Sequence, residues 1–115
     1  FRDWTYAPEM VEAHWKMLQL GKPEDLVLGS GETHAVYEWV DTAFELAGLK
    51  ASDYVVTDPH LFRPAEVNIL LADCTKAKQL IGWSPKVSFK GIIERMVTND
   101  IKLAEQEKLC STNTP

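Results

Sequence analysis

The chain has 115 residues, of which 45% are hydrophobic and 25% charged, and its formal net charge at pH 7 is −5. This size predicts a single globular domain, and the negative charge argues against nucleic acid or an anionic membrane as a partner, because both require a basic surface. There is no apolar run of about 18 residues, so no membrane span is expected. The two cysteines lack metal-site spacing and favour a reducing, cytoplasmic location.

The N-terminal half is predicted to form two helices and one strand. Pro8 suits the first turn of a helix, and Gly21 with Pro23 would end it. A short apolar run bounded by Pro23 and a glycine-rich turn predicts a buried strand, and a second helix is expected over about residues 34–47 with Thr33 as its N-cap. The predicted strand is Leu26–Val27–Leu28. The face of the first helix expected to be buried consists of Val11, Trp15 and Leu18. The face of the second helix expected to be buried consists of Val36, Trp39, Val40, Ala43, Phe44 and Ala47.

The C-terminal half is predicted to form one more strand and two helices. Residues 54–57 suit a strand, residues 75–80 a short helix capped by Asp73, and residues 89–107 a long helix capped by Ser88. The face of this long helix that is expected to point inward consists of Phe89, Ile92, Ile93, Met96, Val97 and Ile101. The prediction is therefore an α+β fold, a small helix-rich domain with two or three short strands over residues 1–107, followed by a polar, disordered tail over residues 108–115.

One arginine–glutamate pair suits the recognition of a phosphorylated, hydroxyl-rich ligand. Arg63 and Glu66 stand three residues apart on a turn that contains Pro64. A guanidinium holds phosphate in bidentate fashion, and a carboxylate accepts hydrogen bonds from sugar hydroxyls or base amides. On spacing alone an ordinary surface pair is the more frequent explanation. Arg2, beside Asp3, is equally compatible with a second phosphate contact and with a local ion pair.

A glycine-rich turn follows the first predicted strand, but it does not match a phosphate-binding fingerprint. Gly29-Ser30-Gly31 would need a further glycine three residues on, and His34 occupies that position. We interpret it as a tight connection between strand and helix. The three histidines are far apart in sequence, so no metal site is predicted.

The residues that reductase-type chemistry on a sugar requires are not found. Such chemistry commonly uses a tyrosine with a lysine four residues later, because the lysine lowers the pKa of the phenol. The chain instead pairs Tyr6 with Met10, Tyr37 with Asp41 and Tyr54 with Asp58 at that spacing. No catalytic residue is therefore predicted.

Five segments together resemble one enzyme family. They are Arg2-Asp3-Trp4, Trp15-Lys16-Met17-Leu18-Gln19, Phe62-Arg63-Pro64-Ala65-Glu66-Val67, Asp73-Cys74-Thr75-Lys76-Ala77 and Gly82-Trp83-Ser84-Pro85. In this order they resemble the C-terminal part of the GDP-mannose 4,6-dehydratases, which belong to the extended short-chain dehydrogenases/reductases. The resemblance runs from residue 1 to about residue 107. Residues 5–10 depart from the family pattern, which favours a diverged copy.

The resemblance implies a role in binding rather than in chemistry. Family members have an N-terminal Rossmann domain that holds NADP and the catalytic residues, and a smaller C-terminal region that closes over the GDP-sugar. The chain is expected to lack the Rossmann half, to bind no cofactor itself and to be inactive alone. The resemblance assigns Arg63 to the pyrophosphate, Glu66 to the ribose or guanine, and Arg2 to the nucleotide from the other side.

Two other functions remain open at this point. One is a free-standing, diverged binding or interaction protein that self-associates or pairs with a partner in place of the missing domain. The other is the substrate domain of a different nucleotide-sugar epimerase, decarboxylase or dehydratase. The Phe62–Val67 segment favours GDP-mannose over the ligands of that last group.

Overall fold

Helices make up the regular structure of this chain. The computed structural model describes residues 1–112. Two 3₁₀ turns, Ala51–Asp53 and Pro59–Leu61, lie between the second and third α-helices. The four α-helices are α1, Ala7–Met17; α2, Val36–Leu46; α3, Thr75–Ile81; and α4, Phe89–Thr112.

The prediction of an α+β fold with two or three short strands is wrong. Within residues 1–112 the only strand-like pairing is an isolated antiparallel bridge between Arg2 and His34. A strand needs a neighbour to complete its ladder of backbone hydrogen bonds. Residues 26–28 instead belong to no helix or strand, and Leu26 and Leu28 pack against a helical core. The N–H groups of Tyr54 and Val55 donate to the Ala51 carbonyl in the first 3₁₀ turn.

All four predicted helices are confirmed, with shifted ends. Helix α2 begins at Val36 without a side-chain cap, so Thr33 is not its N-cap. Ser88 does cap α4, since its Oγ accepts from the Gly91 N–H at 3.2 Å. Helix α4 continues to Thr112, five residues past its expected end. Residues 113–115 of the predicted polar tail lie outside the described residues.

The first of two buried clusters joins α1 to α3. Ala13, Ala77 and Trp83 are its buried centre, and Met10, Leu26, Leu28 and Ile81 pack around them. The Trp83 indole N–H donates to the Glu9 carbonyl at 2.9 Å, which fixes the loop after α3 against α1. The buried face of α1 was therefore predicted wrongly: Val11 and Leu18 are exposed, and Trp15 is 62% exposed.

The second cluster joins α2 to α4 around aromatic rings. Ile92 and Ile93 are buried on α4, as predicted, whereas Met96 is exposed and Val36 on α2 is exposed as well. Four aromatic rings contact one another in series beside them, and of these contacts only that between Phe89 and His34 is stacked. Trp4 lies 4.5 Å from Trp39, Trp39 5.6 Å from Phe89, and Phe89 3.8 Å from His34, measured between ring centroids.

The chain exposes far more surface than a closed domain of its size. Its radius of gyration is 18.5 Å, against roughly 13 Å for a compact domain of this length. Its accessible surface is 9034 Å², against about 6,300 Å² for a compact monomer of 13.0 kDa. Residues 52–71 are exposed throughout and include many large apolar side chains. Within residues 1–112 no helix has the length and hydropathy needed to cross a bilayer.

Candidate ligand-binding site

The three residues predicted to bind ligand are brought together around one carboxylate. The Arg2 guanidinium forms an ion pair with Glu66 Oε1 through Nη2. Arg63 Nη1 lies 3.9 Å from Glu66 Oε2, at the outer limit of an ion pair. Arg2 is separated from Glu66 by 64 residues in sequence, so this convergence is produced by the fold.

The loop that carries this site runs beside the N-terminal segment. We call residues 62–68 the Arg63 loop. The second 3₁₀ turn leads into it, begun by Asp58, whose carboxylate accepts from the His60 N–H at 2.9 Å. Arg2 Nη1 donates to the Val67 carbonyl at 2.8 Å, and the Leu70 N–H donates to the Phe1 carbonyl at 3.2 Å. The loop is thereby fastened along its C-terminal side.

The two arginines of the site differ in what they can offer a ligand. The Arg63 side chain is 79% exposed and that of Glu66 is 50% exposed, whereas the Arg2 side chain is only 27% exposed. An exposed guanidinium next to a half-exposed carboxylate can hold a phosphate and accept from a neighbouring hydroxyl. The arrangement suits binding. Within residues 1–112 no group of three or more His, Cys, Asp and Glu side chains could hold a metal ion.

The glycine-rich turn at residues 29–31 already holds an anion from within the chain. Asp3 Oδ1 accepts from the Ser30 N–H at 2.7 Å and from the Ser30 hydroxyl at 2.6 Å. Asp3 Oδ2 accepts from the N–H groups of Gly31 at 2.9 Å and Ala72 at 3.2 Å. Asp3 therefore makes no ion pair with Arg2 but joins three separate segments. Residues 26–28, which precede the turn, form no strand, so the expectation of a strand there was wrong.

The hydrogen bonds to Asp3 also set its ionisation. Burial by itself would raise the pKa of this carboxyl, but the bonds from Ser30, Gly31 and Ala72 outweigh burial and lower the pKa below its usual value of 3.8. A lowered pKa in the folded state means that the carboxylate stabilises the fold at every pH above its unfolded value. That contribution is lost as the pH falls through the folded pKa.

We expect Asp3→Asn to destabilise the chain at neutral pH and to flatten its acid unfolding. A hydrogen bond to a charged group contributes about 1.5–3 kcal/mol, so the loss at pH 7 should be of that order. The gap between the two proteins should narrow once the pH falls below the usual carboxyl pKa of 3.8, and it should close as the pH falls through the lower pKa of folded Asp3. Urea unfolding of both proteins from pH 7 to pH 3 measures the difference in their free energies of unfolding at each pH. A gap that stays constant with pH would show that the Asp3 charge is not what stabilises the turn.

The sequence analysis named Gly29 and Cys74 but gave neither of them the structural role that the fold shows. A Cβ at Gly29 would clash with the Ala72 Cβ and lie 2.9 Å from Asp3 Oδ2, so glycine is needed for close approach and not for an unusual backbone angle. The Cys74 thiol donates to the Gly29 carbonyl at 3.3 Å. Burial, with the nearby Asp3 charge, raises the pKa of Cys74 and keeps it a thiol. The sequence signals at these two positions were the glycine-rich turn for Gly29 and the segment Asp73–Ala77 for Cys74.

The chain matches one protein family over most of its length. A family model described as GDP-mannose 4,6 dehydratase matches residues 1–96. The chain is 45% identical over 108 residues to GDP-mannose 4,6 dehydratase 1 of Arabidopsis thaliana, covering 94% of this chain and 30% of that protein. It is 39% identical over 119 residues to GDP-mannose 4,6 dehydratase of Homo sapiens, and this match covers 89% of this chain and 32% of the human protein. The chain thus spans about a third of the length of these relatives.

Proposed function

Because the chain belongs to the GDP-mannose 4,6 dehydratase family, we propose that it is the nucleotide-sugar-binding part of such a protein and that it binds GDP-mannose. Arg63 contacts the pyrophosphate and Glu66 the ribose or guanine. Arg2 belongs to the same site. The observation that carries this proposal is the convergence of an exposed guanidinium and a half-exposed carboxylate on one loop, inside the segment that the family model matches.

The proposal assigns no catalytic step to this chain. The dehydration chemistry and the NADP that supports it belong to a Rossmann domain, with which this chain would share a nucleotide-sugar site. The glycine turn at residues 29–31 does not fit an NADP pyrophosphate, because the N–H groups of Ser30 and Gly31 donate to Asp3. We propose no cofactor contact here and no turnover by the chain alone.

The surface around the site supports a domain partner. Residues 54–71 expose apolar side chains, among them Val56 at 88% and Phe62 at 67%. The whole chain exposes about 2,700 Å² more than a compact monomer by the size scaling above, an excess to which residues 54–71 contribute and which falls in the size range of obligate interfaces. A Rossmann domain covering this segment would lie directly beside the Arg63 loop.

A titration with GDP-mannose and UDP-glucose tests the proposed ligand. We expect GDP-mannose to bind the 115-residue chain at least ten times more tightly, because the Phe62–Val67 segment matches a GDP-mannose family. Calorimetry with both ligands at equal salt is the measurement. A preference for UDP-glucose would contradict the proposed ligand and would indicate that the chain binds a uridine nucleotide sugar.

The second candidate is an interaction protein that has kept the family fold without its ligand. The same exposed apolar segment favours it, since exposed patches of more than a few hundred Å² usually mark an interface. Such a chain would self-associate through residues 54–71. Binding of neither nucleotide sugar, together with a dimer or larger species in sedimentation of the same sample, would favour this function.

A further inference from the structure

The second half of α4 extends beyond the helix that packs against the first half. Helix α4 has 24 residues and α2, which packs on it, has 11, so their lengths are about 36 Å and about 16 Å. Ile92 and Ile93 near the start of α4 are buried, whereas residues 98–110 are exposed throughout. Helices in proteins gain most of their stability by packing an apolar face. The exposed half of α4 therefore calls for a packing partner.

An open apolar groove lies between α2 and the middle of α4. Its volume is about 290 Å³. The apolar side chains that line it include Phe44, Ala47 and Leu49 on one side and Val97, Ile101 and Ala104 on the other. Ile101 remains 42% exposed although it lies among these side chains. A groove of this kind can receive a helix that lies along α4.

We propose that the helix received by this groove is α4 of a second copy of the chain, antiparallel to the first across a two-fold axis at Ile101. Residues 94, 97, 101, 104 and 108 follow one another at spacings of three and four, so they share one face of α4. Around the axis, Val97 of each copy meets Ala104 of the other, and the two Ile101 side chains meet each other. This pairing does not depend on nucleotide-sugar binding.

The charges on this face favour the antiparallel direction. Glu94 and Lys108 lie seven residues before and seven residues after Ile101. Each Glu94 therefore faces the Lys108 of the other copy, whereas a parallel pair would place like charges together at both ends. Asp100 acts against pairing, because it also lines the groove and the two copies of it lie on the same side of the axis.

The interface is self-complementary, as a two-fold dimer requires. Each copy supplies a groove and also the helix that enters the groove of the other copy. Residues 98–110 form about 20 Å of helix, which is long enough to lie along Phe44, Ala47 and Leu49 of the other copy. Helices α2 and α4 of the two copies would together form a four-helix arrangement.

Sedimentation equilibrium of the 115-residue chain tests the proposal. Wild type should be a dimer, and Ile101→Asp should raise the dimer dissociation constant at least tenfold. Leu103→Asp is the matched control, because Leu103 is 49% exposed but lies two residues away, on the opposite face of α4, and it should associate like wild type. A monomeric wild type, or equal weakening by both changes, would overturn the proposal. A dimer that survives Ile101→Asp would place self-association elsewhere, such as residues 54–71, and would overturn it as well.

Exchanging the charges tests the direction of the pair through exposed side chains, so it does not require the Ile101 variant to fold. At low salt, where screening is weak, Glu94→Lys and Lys108→Glu should each weaken association several-fold. The double variant restores opposite charges and should recover wild-type association. Asp100→Asn should tighten it. Additive weakening in the double variant, no effect of either single change, or weaker association of Asp100→Asn would contradict the antiparallel pair.

Discussion

Replacing Arg63 by alanine should weaken GDP-mannose binding by about 10- to 150-fold. A charge-assisted hydrogen bond contributes about 1.5–3 kcal/mol, and Arg63 is the exposed guanidinium of the proposed site. Its side chain is 79% exposed, so its removal leaves no buried group unpaired and should not change the stability of the fold. Calorimetric titration of wild type and Arg63→Ala with GDP-mannose measures the loss.

Two matched variants separate a specific phosphate grip from a general effect of charge. Arg95→Ala removes the same charge at a place on α4 where the guanidinium lies 4.9 Å from the Tyr6 ring centroid, and it should bind like wild type. Arg63→Lys keeps the charge but loses the planar fork, so it should fall between wild type and alanine. Equal affinity of Arg63→Ala and wild type would remove Arg63 from the site.

Replacing Gly29 by alanine should destabilise the chain by about 2–3 kcal/mol, which is typical of overpacking a tight contact. The new Cβ would clash with the Ala72 Cβ and press on the Asp3 carboxylate that holds the turn. In a protein of this size such a loss lowers the melting temperature by about 10 °C or more. Thermal unfolding followed by circular dichroism measures the shift.

Gly21→Ala is the matched control, because a Cβ at Gly21 meets nothing within 4 Å and the residue has no positive φ. It should change stability by less than about 0.5 kcal/mol. Adding Ala72→Gly to the Gly29→Ala variant should recover part of the loss, since it removes the opposing methyl group. If Gly29→Ala melts like Gly21→Ala, residues 3, 29 and 72 do not meet as described.

The sequence predicted the helices well but not their buried faces. Helix α1 has two apolar stripes at helical spacing, one at Val11, Trp15 and Leu18 and one at Met10, Ala13 and Met17. Periodicity cannot choose between them, because the choice depends on which side α3 and the Trp83 loop cover. The larger side chains were assigned to the core, and the stripe centred on Ala13 is the one that is buried.

The strands could not be predicted correctly for a related reason. Leu26–Leu28 is short, apolar and bounded by Pro and Gly residues, which is also the pattern of an extended segment that packs on helices. Whether it becomes a strand depends on a partner elsewhere in the chain, and no local pattern records that partner. In residues 1–112 the partner is missing, so the segment packs on helices and forms no sheet.

In the candidate site, too, the sequence could predict local features but could not predict contacts between residues that are distant in sequence. The Arg63–Glu66 pair was found because its members are three residues apart in a recognisable segment. The roles of Arg2 and Asp3 depend on contacts across 64 residues to Glu66 and 69 residues to Ala72. The adjacent charges of Arg2 and Asp3 were equally compatible with a local ion pair and with a ligand contact. In the fold the two side chains contact different segments of the chain.

The central claim is that this chain binds a GDP-sugar at the Arg63 loop, and mapping where GDP-mannose binds tests it most directly. Nuclear magnetic resonance shifts of the ¹⁵N-labelled chain should change on titration in residues 62–68 and at Arg2. The turn at residues 29–31, filled by Asp3, should change little. Shifts that avoid the Arg63 loop, or no shifts at millimolar GDP-mannose, would contradict the account.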